Sequence, residues 1–298
     1  MKRTSVRAVL LCLAAIAILA LAAVPAQAVI GGQQDIHNTY GNVGLIEVHF
    51  EPYGPEDWGF VGTCTLVDED VVLTAAHCVD WVIAPGGPGI DNIRVTTFDP
   101  LIDPVFPLYD GDAHYVQRIE VHPDYLTAPS AGLNSMRWIG PGHEDVALMW
   151  FTEPVKPVSG ITPAEIVAEG GLKALDLKNE RFTVVGYGIN GFVKGSAMSW
   201  RNPQTYVLWS GRNYKEVSVL STHEVFADRY LMIESSSAFG DSGGPLFYGS
   251  VVVADTVWVE SMRCESPAYE YRLDAPGTQT FLHEWLDDDD DDRFIGLQ

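Results

Sequence analysis

Short runs of β-branched and aromatic residues, each ended within a few positions by Gly, Pro, Asn or Asp, recur along most of this chain. Residues 43–50, 62–67, 71–75, 94–98, 116–122, 147–151, 182–188, 206–210, 231–234, 245–248 and 251–259 are all of strand length. Many short strands at close spacing predict an all-β barrel or sandwich and argue against alternating strands and helices. The spacing does not choose between barrel and sandwich. One stretch near the C-terminus differs: Phe281, Leu282, Trp285 and Leu286 recur at helical spacing, which predicts a short closing helix.

The ends of the chain read differently from its middle. Lys2, Arg3 and Arg7 precede an apolar stretch from Ala8 to Val24, and Pro25-Ala26-Gln27-Ala28 follows. A basic start, an apolar middle and a small-x-small end predict a secretory signal peptide over 1–28, too short and wrongly flanked for a spanning helix. The expected destination is the medium or a periplasm, without a stable membrane anchor. Residues 29–286 carry no repeat or linker and are read as one folded unit. Asp287 to Asp292 are six like charges in a row, so 287–298 is expected to be a disordered acidic tail. The net charge of −22 excludes nucleic acid as a partner, because a field of that sign repels phosphate backbones. Acidic loops bearing Asp99, Asp103, Asp110 and Asp112 show no recurring ligand spacing, so no metal or other cofactor is expected.

Gly240-Asp241-Ser242-Gly243-Gly244-Pro245 places a serine on a glycine-flanked turn whose backbone N–H groups can converge on one spot. A serine hydroxyl is a poor nucleophile until a base takes its proton and an acid orients that base. Thr74-Ala75-Ala76-His77-Cys78 follows one apolar run, and Asp145-Val146-Ala147-Leu148 opens another. Taken singly, His77 reads equally well as a buried histidine satisfied by a neighbour, and Asp145 as a cap at a strand end.

Together and in the order His, Asp, Ser, the three segments resemble the signatures of the chymotrypsin/trypsin-like serine peptidases, of a secreted, bacterial type. The similarity runs from Val29 to about Trp285. The resemblance implies two six-stranded antiparallel β-barrels with the active site in the cleft between them. His77 and Asp145 would come from the first barrel and Ser242 from the second, and the N–H groups of Gly240 and Ser242 would bind the oxyanion. Val29-Ile30-Gly31-Gly32 resembles the freed amino terminus of the family, whose ammonium would here pair with Asp241. Cleavage after Ala28 would create that ammonium without a separate propeptide.

By the same resemblance Ser236 forms the floor of the primary pocket, while Val259 and Ala268 stand where glycine walls are usual. That implies a preference for small or medium apolar residues and disfavours Lys and Arg. Val257 replaces a serine that normally donates to the catalytic aspartate, and Thr256 would substitute if the register slips by one. A disulfide between Cys64 and Cys78 is implied as well, although Cys64 lies two residues before Leu66 where four are usual, and Cys264 is left over. Protein or peptide substrates follow, with a proteinaceous inhibitor as a candidate partner. A catalytically silent binding relative and an esterase are the alternatives.

Overall fold

The computed structural model describes residues 29–49, 58–96, 113–125, 144–155, 161–189, 191–192, 207–208, 211–221, 228–234, 236–259, 266–286 and 293–297. The expected leader, Cys264, the run of six aspartates and the loop bearing Asp99, Asp103, Asp110 and Asp112 lie outside the described residues.

A two-residue strand β1 (Gln33–Gln34) is followed by β2 (Val43–His49), β3 (Trp58–Leu66), β4 (Val71–Thr74), β5 (Ile93–Thr96), β6 (Ala113–Val121) and β7 (Ala147–Phe151). Strands β2 to β7 close into a barrel in the order β2-β3-β4-β7-β6-β5. Side chains such as Ile46, Val72, Val95, Leu148 and Met149, on the two faces of its wall, are all buried. Each such side chain contributes about 1.5 to 3 kcal/mol relative to exposure. Between β4 and β5 the chain forms a helix not foreseen in the sequence, α1 (Ala76–Ile83). Cys78, Val79 and Val82 give it one buried face. It stops before Ala84-Pro85, where the residue ahead of a proline is pushed out of the helical region.

The second half supplies β8 (Glu165–Val167), β9 (Phe182–Gly186), the short pair β10 (Gly191–Phe192) and β11 (Val207–Leu208), then β12 (Asn213–Val217) and β13 (Val219–Ser221). It continues with β14 (Tyr230–Ile233), β15 (Pro245–Tyr248), β16 (Val251–Val259) and β17 (Ala268–Arg272). The pairing order is β1-β12-β9-β15-β16-β17-β14-β13, with β8 beside β16. Since only Ser218 separates β12 from β13, these two are one bent strand, which curls the sheet round into the second barrel. At the bend the Ser218 N–H donates to Glu234 Oε1 at 3.0 Å, and the Glu234 N–H returns to the Ser218 carbonyl at 3.2 Å. The fold is the expected all-β double barrel.

Helix α2 (Pro276–Leu286) leaves the second barrel and docks on the first. Trp285 meets Trp150 edge to face at 6.2 Å, the Arg118 guanidinium lies over both rings, and His122 Nε2 sits 3.2 Å from the Gly277 carbonyl. Residues 293–297 depart from the disordered tail expected there. Strand β18 (Phe294–Ile295) pairs in parallel with β8, Phe294 stacks on His283 at 4.0 Å, and Arg293 Nη1 meets Asp68 Oδ2 at 2.8 Å. The physical reason lies in the residues beyond the aspartates, where a cation and the apolar Phe294, Ile295 and Leu297 pack against the core. No helix among the described residues is long and apolar enough to cross a membrane.

Candidate active site

Strand β4 runs straight into the residues before α1, and its neighbour β7 begins just after Asp145. The pairs Leu73↔Leu148 and Thr74↔Ala147 therefore bring His77 and Asp145 together from 68 positions apart. The imidazole Nδ1 lies 2.8 Å from Asp145 Oδ2, and the His77 backbone N–H donates to Asp145 Oδ1 at 2.9 Å. Both carboxylate oxygens thus hold the same histidine, which fixes the ring and leaves Nε2 to face away from the acid. Burial opposes charging of the imidazole, but the Asp145 carboxylate, with Cys78 beside it, outweighs that and holds the His77 pKa well above its usual value.

Ser242 arrives from the other barrel on the turn before β15. The turn is internally tied, with Asp241 N–H donating to the Ala238 carbonyl at 3.0 Å and Gly244 N–H to the Asp241 carbonyl at 2.8 Å. Thr63 of β3 straps it across the cleft: its N–H donates to the Ser242 carbonyl and its hydroxyl to the Gly240 carbonyl, each at 2.8 Å. Gly243 has φ +78° and Gly240 φ +99°. A Cβ on the first would overlap Thr74 Oγ1, and on the second the Phe60 ring. Neither Gly240 nor Ser242 donates its backbone N–H to an acceptor among the described residues, whereas Asp241, Gly243 and Gly244 all do. The Ser242 carbonyl lies 3.6 Å from Cys78 Sγ, and that sulfur is 3.7 Å from His77 Nε2. Ser242 and the imidazole therefore flank one thiol, but no hydrogen bond joins the Ser242 hydroxyl to the ring among the described residues.

Cys64 and Cys78 are both free, which overturns the disulfide expected between them. The register explains it. The β3 residue opposite Cys78 is Gly62, where a Cβ would lie 2.7 Å from Cys78 Sγ and 3.4 Å from its Cβ. Cys64 lies two residues along the strand, roughly 6 to 7 Å away, and burial pushes its thiol up.

Asp241 is fully buried and accepts N–H bonds from Gly188 and Ala238, each at 2.8 Å. Burial still raises its acid to about 7 against those two donors. Val29 is buried, and the next N–H, from Ile30, donates to the Ser236 carbonyl at 2.6 Å. The segment beginning at Val29 is therefore lodged against the loop that encloses Asp241. Ser236 is buried with its hydroxyl on the Glu234 carbonyl, Val259 and Ala268 are opposite each other on β16 and β17, and Val259 packs with Ile189 and Ala238.

Two buried acids escaped the sequence reading. Glu270, two residues beyond Ala268 on the same face, accepts from the Ser237 hydroxyl at 3.1 Å. Burial raises it to about 8 against the opposing pull of the Thr256 and Ser237 hydroxyls. Thr256 is paired with Glu270, so it faces the pocket side and cannot take the donor's place beside Asp145. The other acid is Asp255, buried in β16. Its signal was an acidic residue following Val-Val-Val-Ala inside a strand-length run.

With this geometry in hand, similarity to known proteins takes on meaning. The family model described as Trypsin matches residues 54–277. Two curated proteins of Manduca sexta, "Trypsin, alkaline A" and "Trypsin, alkaline B", are each 25% identical to this chain over 256 residues, covering 84% of it and 89% of the relative.

Proposed function

This chain belongs to the trypsin family, and from that premise we propose that it is an exported serine endopeptidase working through His77, Asp145 and Ser242. The observation that carries the proposal is the double grip of Asp145 on His77, set beside a serine turn that Thr63 straps to the same barrel. In the reaction, Ser242 Oγ attacks the scissile carbonyl while His77 Nε2 takes the hydroxyl proton. Asp145 holds the tautomer and stabilises the imidazolium. The N–H groups of Gly240 and Ser242 receive the oxyanion, each such donor lowering the barrier by about 3 to 4 kcal/mol. His77 then protonates the leaving amine, and water, activated by the same imidazole, releases the acyl group.

Release of residues 1–28 would free the Val29 ammonium to pair with Asp241, whose raised pKa that charge would bring down. The side chains of Val259 and Ala268 narrow the pocket above Ser236, which suits small or medium apolar residues before the scissile bond. Glu270, held neutral by burial below about pH 8, adds no charge at neutral pH.

A fluorophosphonate probe tests the proposal, because only an activated serine is phosphonylated. The expected outcome is labelling of the processed protein at Ser242, lost in Ser242→Ala and His77→Ala. An unlabelled, correctly folded protein would make the chain a silent binding relative. A mature amino terminus other than Val29, found by mass spectrometry of exported protein, would overturn the activation pair.

A further inference from the structure

Asp255 stands in the middle of β16, fully buried, with neither carboxylate oxygen bonded to another residue. An ionised carboxylate left so is among the costliest groups a protein interior can hold, so the acid belongs there as its neutral form. The sheet fixes the direction in which it looks. Asp255 is paired with Tyr271 on β17, and Tyr271 with Tyr230 on β14. Partners across neighbouring strands share a face, so the three make one row. That row faces the segment carrying Asp145: the Tyr271 hydroxyl donates to Glu144, and Arg229, next to Tyr230, pairs with Glu144 at 3.0 Å. Val257, beyond Asp255 in the strand, offers no polar atom, and Thr256 turns to the opposite face.

We propose that Asp255 is a positioning residue for the triad, a neutral carboxylic acid whose single O–H is donated to the Asp145 carboxylate. The proton stays between the two carboxyl groups, and Asp145 keeps both oxygens on His77 while accepting this third bond with a remaining lone pair. The inference rests on the catalytic reading of His77, Asp145 and Ser242. The groups around Asp255 are His77 from α1, Glu144 and Asp145 before β7, Arg229 and Tyr230 at β14, and Glu270 and Tyr271 on β17. Burial, then Asp145 and Glu270, favour the protonated acid, and a charged His77 opposes them. Raising the pH until that proton is lost changes Asp255 from a donor into a second negative charge beside Asp145.

The experiment compares kcat and KM of wild type, Asp255→Asn and Asp255→Ala across roughly pH 6 to 10. The amide keeps a neutral donor of the same shape, so Asp255→Asn is expected within about threefold of wild type at neutral pH and without the alkaline decline. Asp255→Ala is expected to lose roughly 10- to 100-fold in kcat with KM nearly constant, the usual scale for removing a donor to a charged group. Equal losses in both variants, or the wild-type pH profile in both, overturn the proposal. If the alanine variant does not fold, Asp255→Leu fills the space without a polar atom and replaces it. The downfield Nδ1–H proton resonance of His77 gives a readout independent of turnover: it should persist in Asp255→Asn and shift in the apolar variant. No shift in either overturns the proposal, whereas a shift in a protein without turnover defeats the peptidase reading alone.

Discussion

Gly243 is hemmed in by Thr74 Oγ1, the Thr63 carbonyl and the Ala75 nitrogen, at a φ of +78° that side chains rarely adopt. Gly243→Ala is therefore expected to destabilise the protein by more than about 2 kcal/mol in chemical denaturation. It should also slow fluorophosphonate labelling, since the turn it displaces carries Ser242. Gly62→Cys tests a second close approach, where an added Cβ would lie 2.7 Å from Cys78 Sγ and 3.0 Å from the Ser242 carbonyl. The Cβ separation of 3.4 Å from Cys78 is close to that of a relaxed disulfide. Under oxidising conditions a bridge should form and add about 3 kcal/mol, the usual figure for a loop of this size. Persistence of the Cys78 thiol on alkylation would refute that register. The segments carrying His77, Asp145 and Ser242 stand out in the sequence because each is a short pattern that the proposed chemistry would demand. The partner of Cys78 was not, because two thiols on a strand and a helix look paired until the register is known.

At the scale of elements, β16 spans the expected run 251–259, whereas β17 departs furthest from what the sequence announces. No strand is expected over 268–272, where Glu270 is buried and holds the Ser237 hydroxyl. An apolar-in, polar-out rule cannot find such a strand, and α1 was hidden for the converse reason that Val79-Asp80-Trp81-Val82-Ile83 is rich in strand formers. Helix α2 was half legible: its apolar residues gave the end, while Pro276 at the first helical position marks a start that was overlooked. The buried Glu270 has a measurable consequence. Its folded pKa of about 8 lies above the unfolded 4.5, so the folded state binds the proton more tightly and its contribution to stability is lost as pH rises through about 8. Glu270→Gln should be more stable than wild type by about 4 kcal/mol near pH 9, a difference that vanishes toward pH 4.5. Urea titrations at both ends measure it, and a constant difference would mean that Glu270 does not titrate as described.

Taken whole, the molecule is two barrels tied together by bonds that include the Thr63 strap, the Tyr187 and Arg212 donors on the Val43 carbonyl, α2 against Trp150, and the Arg293–Asp68 pair. The double barrel was legible only through the resemblance, because pattern leaves sandwich and barrel equal. The run of aspartates concealed the last strand by suggesting that everything after it is solvated. Deleting 293–298 removes the Phe294 and Ile295 contacts and the Arg293–Asp68 pair. A loss of about 2 kcal/mol follows, read as a fall in Tm of roughly 4 to 8 °C, and an unchanged Tm would show that β18 stabilises nothing. The bend at Ser218 governs how copies of the protein behave toward one another. With the joint shut and β1 laid along β12, neither β12 nor β14 shows an open rim of amide and carbonyl groups on which a neighbour's chain could grow. Ser218→Pro removes the N–H held by Glu234, and oligomers or precipitate should then appear on size-exclusion chromatography where the parent stays dispersed.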